Sequence, residues 1–208
     1  MWLGNDCLRG YFKLNNLKLC ETVLKSIREA VNRNREYNAD SIGKGGSGTA
    51  TGSAFKAVSS DSEGSNGEEP YSIAERVRYR YYLGRIRISQ GRVREAFQHL
   101  QWALQKCPVH TTPQLRRILL HLLPTALVLG MRPSPALVEV VRRGGQTNQD
   151  VIQLYLPLFQ AYAKPDMAHF QALMAERWRK ERLRKLGVYL LLTEKCEAGM
   201  WRGIVKRW

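Results

Sequence analysis

The sequence predicts an all-α fold built from paired helices. Apolar residues recur every three or four positions over most of the chain, as they do in helices that bury one face. Alternating strand-type patterns are almost absent, and prolines stand mainly where the periodic stretches end. With 208 residues, of which 44% are hydrophobic and 25% charged, the chain is long enough to form a globular core.

An upstream helical pair is predicted over residues 1–34. Leu17, Cys20, Leu24 and Val31 stand on one side of the second helix of the pair. The amino end lacks the basic-then-apolar order of a signal peptide.

Residues 35–70 are predicted to form a disordered insertion or linker, because Gly, Ser, Thr, Asp and Glu dominate there. The glycine-rich stretch from Gly43 to Thr49 invites comparison with a phosphate-binding loop. However, Lys44 is followed by glycine and no strand precedes it, so nucleotide binding is not predicted.

Helical periodicity resumes at Tyr71 and continues to the end of the sequence. Pro124 and Pro157 stand inside apolar runs, where they are expected to kink the helices. The predicted helices are 71–89, 92–106, 113–130, 134–142, 148–163, 166–185 and 186–197, with another beginning near Met200.

The first two of these helices carry the offsets of a tetratricopeptide-like hairpin. Gly84, Ala96 and Ala103 are small enough for two helix backbones to approach closely, and Gly91 stands at the turn between them. One hairpin cannot bury its apolar face alone, so the helices that follow are expected to stack on it as a helical-repeat solenoid.

The net charge of +15 is concentrated in two segments. Residues 71–135 hold eleven basic and two acidic side chains, and residues 171–208 hold ten and four, whereas the rest of the chain is balanced. Such concentration favours a polyanionic partner, since basic side chains that neutralise phosphates release counterions. A solvated helix surface is the alternative explanation.

A mixture of tyrosine and arginine in the first basic segment has two interpretations. Its tyrosines could stack on single-stranded RNA while the arginines clamp the backbone. The favoured interpretation places Tyr79, Tyr82, Leu83 and Ile86 on the core face, with the arginines toward solvent.

The densest positive run lies near the carboxyl end. It could contact phosphates, serve as a nuclear-import signal, meet an acidic partner, or form the solvated face of a helix whose Trp178 packs inward. Basic residues farther along would enlarge this surface if the fold brings them alongside. The predicted nucleic-acid-binding residues are Arg177, Arg179, Lys180, Arg182, Arg184, Lys185, Lys195, Arg202, Lys206 and Arg207.

No enzymatic chemistry is predicted, because the sequence has no nucleophile elbow, paired catalytic carboxylates or dinucleotide fingerprint. The four cysteines and four histidines are scattered, so neither a metal site nor a cofactor is expected. No window approaches the roughly 18 apolar residues of a membrane span. A soluble intracellular protein without a membrane partner is therefore expected.

Several strings, taken in order, resemble one family. They are Tyr11-Phe12-Lys13-Leu14, Tyr81-Tyr82-Leu83-Gly84-Arg85, Arg116-Arg117-Ile118-Leu119, Leu122-Leu123-Pro124, Gly187-Val188-Tyr189-Leu190-Leu191-Leu192 and Trp201-Arg202. With them the chain resembles the PCI-domain family, in the branch of PCI domain-containing protein 2, fungal mRNA-export complex subunits and signalosome subunit twelve-like proteins.

The resemblance implies a TPR-like helical-repeat superhelix over residues 71–185 that leads into a winged-helix PCI subdomain. Residues 186–208 would hold only the start of that subdomain, without its recognition helix, so duplex reading by this chain alone is not expected. Compared with the family, the sequence also begins partway through the superhelix.

The resemblance further implies a non-catalytic scaffold subunit of a nuclear, transcription-coupled mRNA export complex. Its partners would be a GANP-type scaffold subunit, a small acidic Sem-type protein, and RNA or DNA bound without sequence specificity. The expected location is the nucleus, with the cytoplasm as a second location. The alternative is a PCI subunit of a signalosome-like or proteasome-lid-like assembly that binds only proteins.

Overall fold

Helices form all the regular secondary structure in the described part of the chain, so the predicted all-α class is confirmed for those residues. None of these helices combines the length and apolar character that a membrane span requires. The computed structural model describes residues 2–14, 16–43, 71–108, 111–131, 139, 146–164 and 166–205.

The amino-terminal unit is a pair of helices, α1 (Trp2–Lys13) and α2 (Leu17–Gly43). Leu8 of α1 and Cys20 and Leu24 of α2 are buried. Cys20 and Leu24 belong to the apolar stripe of α2.

Helix α2 continues to Gly43, although its apolar stripe ends near residue 31. A helix can extend beyond its buried stripe because its backbone hydrogen bonds form within the segment itself. The amino-terminal part of the predicted linker is therefore helical. Residues 44–70 lie outside the described residues.

The second unit begins at Ile73 and contains seven described helices. They are α3 (Ile73–Ser89), α4 (Val93–Lys106), α5 (Thr112–Val128), α6 (Gln146–Ala163), α7 (Met167–Ala175), α8 (Arg177–Leu186) and α9 (Tyr189–Val205). Each of the last six packs on the helix before it, and α9 also packs on α5 and α7. The core of this unit is therefore continuous from α3 to α9.

Helices α3 and α4 form the closely packed hairpin that the small residues predict. A Cβ atom at Gly84 would lie 2.7 Å from Leu100 Cγ and 3.4 Å from the Ala96 carbonyl oxygen, so only glycine allows this approach. Gly91 has a φ of 73°, which closes the turn between the helices. Ala96 and Ala103 are fully buried.

Two predicted boundaries differ from the structure, and one predicted helix is not tested. The predicted helix 166–185 is divided at Glu176, whose ψ of 123° is not helical. The predicted helix 186–197 and the one near Met200 are the single helix α9. The predicted helix 134–142 lies outside the described residues except for Glu139.

Both internal prolines lie within continuous helices, Pro124 in α5 and Pro157 in α6. Proline has no backbone N–H, so each leaves the carbonyl four residues earlier without its usual helical partner. The freed carbonyls belong to Leu120 and Gln153. A neighbouring helix supplies another donor to each of these carbonyls.

Candidate nucleic-acid interface

Helix α8 carries most of the predicted nucleic-acid-binding residues, but its inward face differs from the prediction. Arg179 and Leu183 point into the core, with 3% and 0% of their surfaces exposed. Trp178, which only the solvated-face alternative placed inward, is 49% exposed, and its Nε1 donates to Glu176 Oε2 at 2.8 Å. Arg179 was therefore wrongly assigned to the interface, because a buried guanidinium cannot reach a phosphate.

Arg179 instead joins three helices through backbone carbonyls. Its Nη2 donates to the Gln153 oxygen at 3.3 Å, the carbonyl freed by Pro157, and its Nε donates to the Leu154 oxygen at 3.3 Å. Its Nη1 donates to the Leu173 oxygen at 3.0 Å, in the last turn of α7, and lies 2.6 Å from Glu176 Oε2. Carbonyls in the last turn of a helix, such as that of Leu173, have no intrahelical partner. Arg179 therefore supplies a donor both to this carbonyl and to the one freed by Pro157.

The outward side of α8 presents a cluster of cations around an aromatic ring. Lys180 Nζ lies 5.9 Å and Arg184 Cζ 5.3 Å from the ring centre of Tyr189, the first residue of α9. Gly187, with a φ of 72°, reverses the chain between the two helices and brings Tyr189 back over α8. Cations held this close to a ring are attracted to its face.

The other predicted cations of α8 have different surroundings. Lys185 is exposed. Arg177 has 94% of its side chain exposed and pairs at 3.7 Å with Glu181. Such an exposed pair contributes little to stability and can be exchanged for a phosphate contact.

Asp150 of α6 brings the two basic segments together. It accepts a hydrogen bond at 3.2 Å from Arg182 of α8 and a two-pronged contact from Arg116 of α5. Burial raises the pKa of Asp150, but the Arg116 hydrogen bond and the two guanidinium charges outweigh it and hold that pKa below its usual range. Arg182 is therefore partly neutralised within the fold.

The basic residues of α9 do not extend the Tyr189 cluster. Lys195 and Arg202 are exposed and stand seven residues apart, so they share one side of α9. At roughly 100° per residue, that side lies about 120–140° around the helix from Tyr189. Lys206 and Arg207 lie outside the described residues.

In the first basic segment, the core face of α3 partly follows the favoured interpretation. Leu83 and Ile86 are buried as predicted. The buried tyrosine, however, is Tyr81, whereas Tyr79 and Tyr82 are only partly buried. Arg85 Cζ lies 5.8 Å from the Tyr81 ring, so that ring is covered and cannot stack on a base.

Behind Tyr81, the buried His121 of α5 makes the stability of this unit depend on pH. Its Nδ1–H donates to the Arg117 carbonyl at 3.1 Å, while its Nε2 has no partner among the described residues. Burial, followed by the charge of Arg85, lowers the pKa of His121 from 6.5 to about 3. The unfolded chain binds a proton at this imidazole below about pH 6.5, whereas the folded protein keeps the imidazole neutral until about pH 3. The free energy of unfolding is therefore highest above the unfolded pKa and decreases as the pH falls toward 3.

We therefore expect the free energy of unfolding to decrease by about 1.4 kcal/mol between about pH 7.5 and about pH 5.5 because of His121 alone. His121→Leu should remove this part of the pH dependence, which urea titrations at several pH values measure. The same slope in both proteins would contradict a neutral buried imidazole.

Sequence reasoning missed several groups of the interface. Tyr189 and Arg116 occur in strings used for the family resemblance, but no spacing rule connects them with α8. Asp150 lies in a charge-balanced segment and gave no signal. Each becomes visible only when helices distant in sequence pack together.

Among the described residues, no group of three or more His, Cys, Asp or Glu side chains is arranged to hold a metal ion. The arrangement of α8 and Tyr189 instead suits electrostatic and stacking contacts with a polyanion.

Comparison with known proteins gives three informative relatives, although no protein-family model matches the chain. The chain is 29% identical over 136 residues, or 65% of its length, to a PCI domain-containing protein of Schizosaccharomyces pombe. Over 207 residues it is 23% identical to the PCI domain-containing protein 2 homolog of Drosophila melanogaster and 26% identical to Enhanced ethylene response protein 5 of Arabidopsis thaliana. It spans 29%, 40% and 39% of these three relatives, respectively.

Proposed function

Since the chain belongs to the PCI-domain family, in the branch of PCI domain-containing protein 2, we propose that it is a non-catalytic scaffold subunit of a nuclear, transcription-coupled mRNA export complex. In this proposal its helices bind partner subunits, and the outward surface of α8 contributes non-specific affinity for RNA or DNA. The family resemblance predicted from the sequence is confirmed by the relatives.

The observation that carries the nucleic-acid part of the proposal is the convergence of Lys180 and Arg184 on Tyr189. A cation beside an aromatic ring offers a phosphate contact and a stacking platform together, the combination used by proteins that bind single strands without sequence preference. Exposed Lys185 adds a third positive charge on the same helix.

The protein partners are proposed from the resemblance: a GANP-type scaffold subunit and a small acidic Sem-type protein. The high positive charge of the chain, +15, supports an acidic partner. A nuclear location follows from this role. The basic run of α8 does not support an import signal in the folded chain, because Arg179 within it is buried.

A second candidate function, a PCI subunit that binds only proteins in a signalosome-like or proteasome-lid-like assembly, is favoured by the exposed apolar residues of α9. Leu190, Trp201 and Val205 are 70%, 60% and 70% exposed. Exposed large apolar side chains of this kind are common where proteins bind other proteins. The two functions differ in whether the chain has affinity for RNA.

Removing the positive charge from the α8 cluster tests the proposal. We expect the triple substitution Lys180→Gln, Arg184→Gln and Lys185→Gln to weaken single-stranded RNA binding roughly tenfold or more at about 0.1 M salt. The slope of log K against log salt should decrease by about 2, since each phosphate contact on a single strand contributes about 0.7. Fluorescence anisotropy at several salt concentrations measures both quantities.

The matched control removes three charges from exposed positions of α2: Lys18→Gln, Lys25→Gln and Arg28→Gln. It should bind RNA nearly as the unaltered protein does. If both triple variants lose the same affinity and slope, the α8 surface has no special role. If the unaltered protein binds no RNA even at low salt, the protein-only function is favoured.

A further inference from the structure

The tryptophan of α8, Trp178, is exposed, yet two neighbouring residues fix its ring. Its Nε1 donates to Glu176 Oε2 at 2.8 Å, and the guanidinium carbon of Arg179 lies 4.7 Å from its ring centre. Glu176 and Arg179 are joined to each other at 2.6 Å, and Arg179 also donates to three backbone carbonyls. The orientation of the ring is therefore set before any ligand binds.

One face of the Trp178 ring is open to solvent. Arg179, which is itself buried, covers the other face, so the exposed 49% of the side chain belongs to the open face and the outer edge. A ring presented in this way accepts another planar group in a stacked arrangement. A side chain that is already ordered also loses less conformational entropy on binding. Trp178 thus offers a flat surface that is prepared for a ligand.

Two cations stand on the same side of α8 as Trp178. Arg182 and Lys185 follow it at four and seven residues, so at roughly 100° per residue both lie within about 40° of it around the helix. Among the described residues, Asp150 engages Arg182 through Nη2, and Lys185 is exposed. A polyanion that reaches the ring therefore meets two positive charges along the same line.

These surroundings favour a nucleobase over an apolar side chain of a partner protein. An aromatic residue that anchors a protein interface usually stands within a patch of other apolar side chains. The positions of α8 nearest to Trp178 on its solvent side instead hold Arg177, Glu181 and Arg182, and Glu181 is paired with Arg177. A nucleotide carries a planar base and a phosphate in one molecule, so it matches the ring and the cations together.

We propose that Trp178 stacks on an unpaired nucleobase while Arg182 and Lys185 contact the neighbouring phosphates, which gives the α8 surface a preference for single strands. The inference rests on the proposed function, since it assumes that α8 binds nucleic acid, and it assigns that surface its substrate class. In a duplex each base is paired and stacked between its neighbours, so an external ring gains access only after unstacking. A single strand presents unpaired bases without that cost.

The substitution Trp178→Leu in the full chain removes the ring without changing the charge. We expect it to bind a short single-stranded RNA of mixed sequence roughly tenfold more weakly, because a base–ring stack is lost. The salt slope should stay the same, since no phosphate contact is removed. Trp201→Leu, which removes a ring that is 60% exposed on α9, is the matched control and should bind RNA as the unaltered protein does. Equal losses in the two variants, or no loss in the first, would overturn the stacking role.

A second substitution at the same position separates stacking from an effect on the fold. Trp178→Phe and Trp178→Leu both lose the hydrogen bond to Glu176, so a purely structural role would weaken the two variants equally. Phenylalanine keeps an aromatic face, and its RNA affinity should stay closer to that of the unaltered protein than to that of the leucine variant. Circular dichroism and melting curves establish that both variants are folded. Equal RNA affinities of the two variants contradict the proposal.

An abasic oligomer of the same length, which carries the phosphates but no bases, tests the ligand group itself. Trp178→Leu and the unaltered protein should bind this oligomer with equal affinity, because it offers nothing to stack. A fully paired RNA duplex should also bind the two proteins equally, so the ratio of single-strand to duplex affinity should decrease roughly tenfold on Trp178→Leu. If Trp178→Leu weakens binding of the abasic oligomer as much as binding of RNA, Trp178 does not contact a base and the proposal is wrong.

The same measurements separate this inference from the proposed function. If the unaltered protein binds RNA and the abasic oligomer equally, and the triple substitution of Lys180, Arg184 and Lys185 weakens both, the charged surface stands and the stacking role is wrong. If the unaltered protein binds neither oligomer at low salt, the nucleic-acid function fails and the stacking role fails with it. In that case the exposed ring is left to a protein partner.

Discussion

Replacing Arg179 with methionine is expected to lower the free energy of unfolding of the second unit by about 3 kcal/mol, because it removes a donor shared by carbonyls of two neighbouring helices and an acceptor left unsatisfied costs about 1–3 kcal/mol. The substitution keeps much of the side-chain volume but removes the guanidinium donors to the carbonyls of Gln153, Leu154 and Leu173. Urea titration measures the loss. Hydrogen exchange of α6 amides should increase, because the Pro157 region then lacks its donor.

Two matched substitutions make this result specific. Arg177→Met removes the same charge two residues away, from a side chain that is 94% exposed, and should change stability by less than about 0.5 kcal/mol. Arg179→Lys keeps the charge, but its single nitrogen cannot occupy the positions of three guanidinium nitrogens at once, so an intermediate loss is expected. If Arg179→Met destabilises no more than Arg177→Met, the carbonyl contacts have no structural importance.

The α3–α4 hairpin could be predicted from the sequence because its signals are local. Gly84, Gly91 and the buried Ala96 are required by the close approach and tight turn of two consecutive helices, so their spacing alone identifies the hairpin. Helix existence was predictable for the same reason. Local hydrogen bonding and apolar periodicity both repeat every 3.6 residues.

The candidate site was predictable only as a charged segment. Which cations of α8 face solvent depends on how the helix is rotated against α6, and one of the interpretations left open by the sequence placed Trp178 inward. The structure buries Arg179 instead, where it donates to three backbone carbonyls, one of them freed by Pro157, twenty-two residues earlier. The carbonyls that accept from Arg179 belong to other helices, so the sequence of α8 alone gives no indication of them.

The division of the predicted helix 166–185 has a similar explanation. Neither proline nor glycine marks Glu176, so the sequence gives no sign of a break there. In the structure, Glu176 Oε2 receives both Trp178 Nε1 and Arg179 Nη1, and α7 ends one residue earlier. The break between α7 and α8 therefore coincides with the side-chain contacts of Glu176 and not with a residue of low helix propensity.

At the other internal proline, Pro124, the replacement donor is Tyr155 of α6. Removing the Tyr155 hydroxyl is the second substitution for which we expect a large effect on stability. The Tyr155 hydroxyl donates at 2.7 Å to the Leu120 carbonyl, which Pro124 has freed, and the whole side chain is buried. Burial raises the pKa of Tyr155, so the phenol stays protonated and able to donate. Tyr155→Phe should lower the free energy of unfolding by about 1–3 kcal/mol, since the carbonyl is then buried without its donor.

A double-mutant cycle with Pro124→Ala isolates this contact, because alanine restores a backbone N–H that can donate to the Leu120 carbonyl. The loss caused by Tyr155→Phe should therefore be smaller in the Pro124→Ala background. Tyr162→Phe, on the same helix but with its hydroxyl against Gly199, is the matched control and should change stability little. Equal losses from Tyr155→Phe in both backgrounds would show that the proline and the phenol do not act on the same carbonyl.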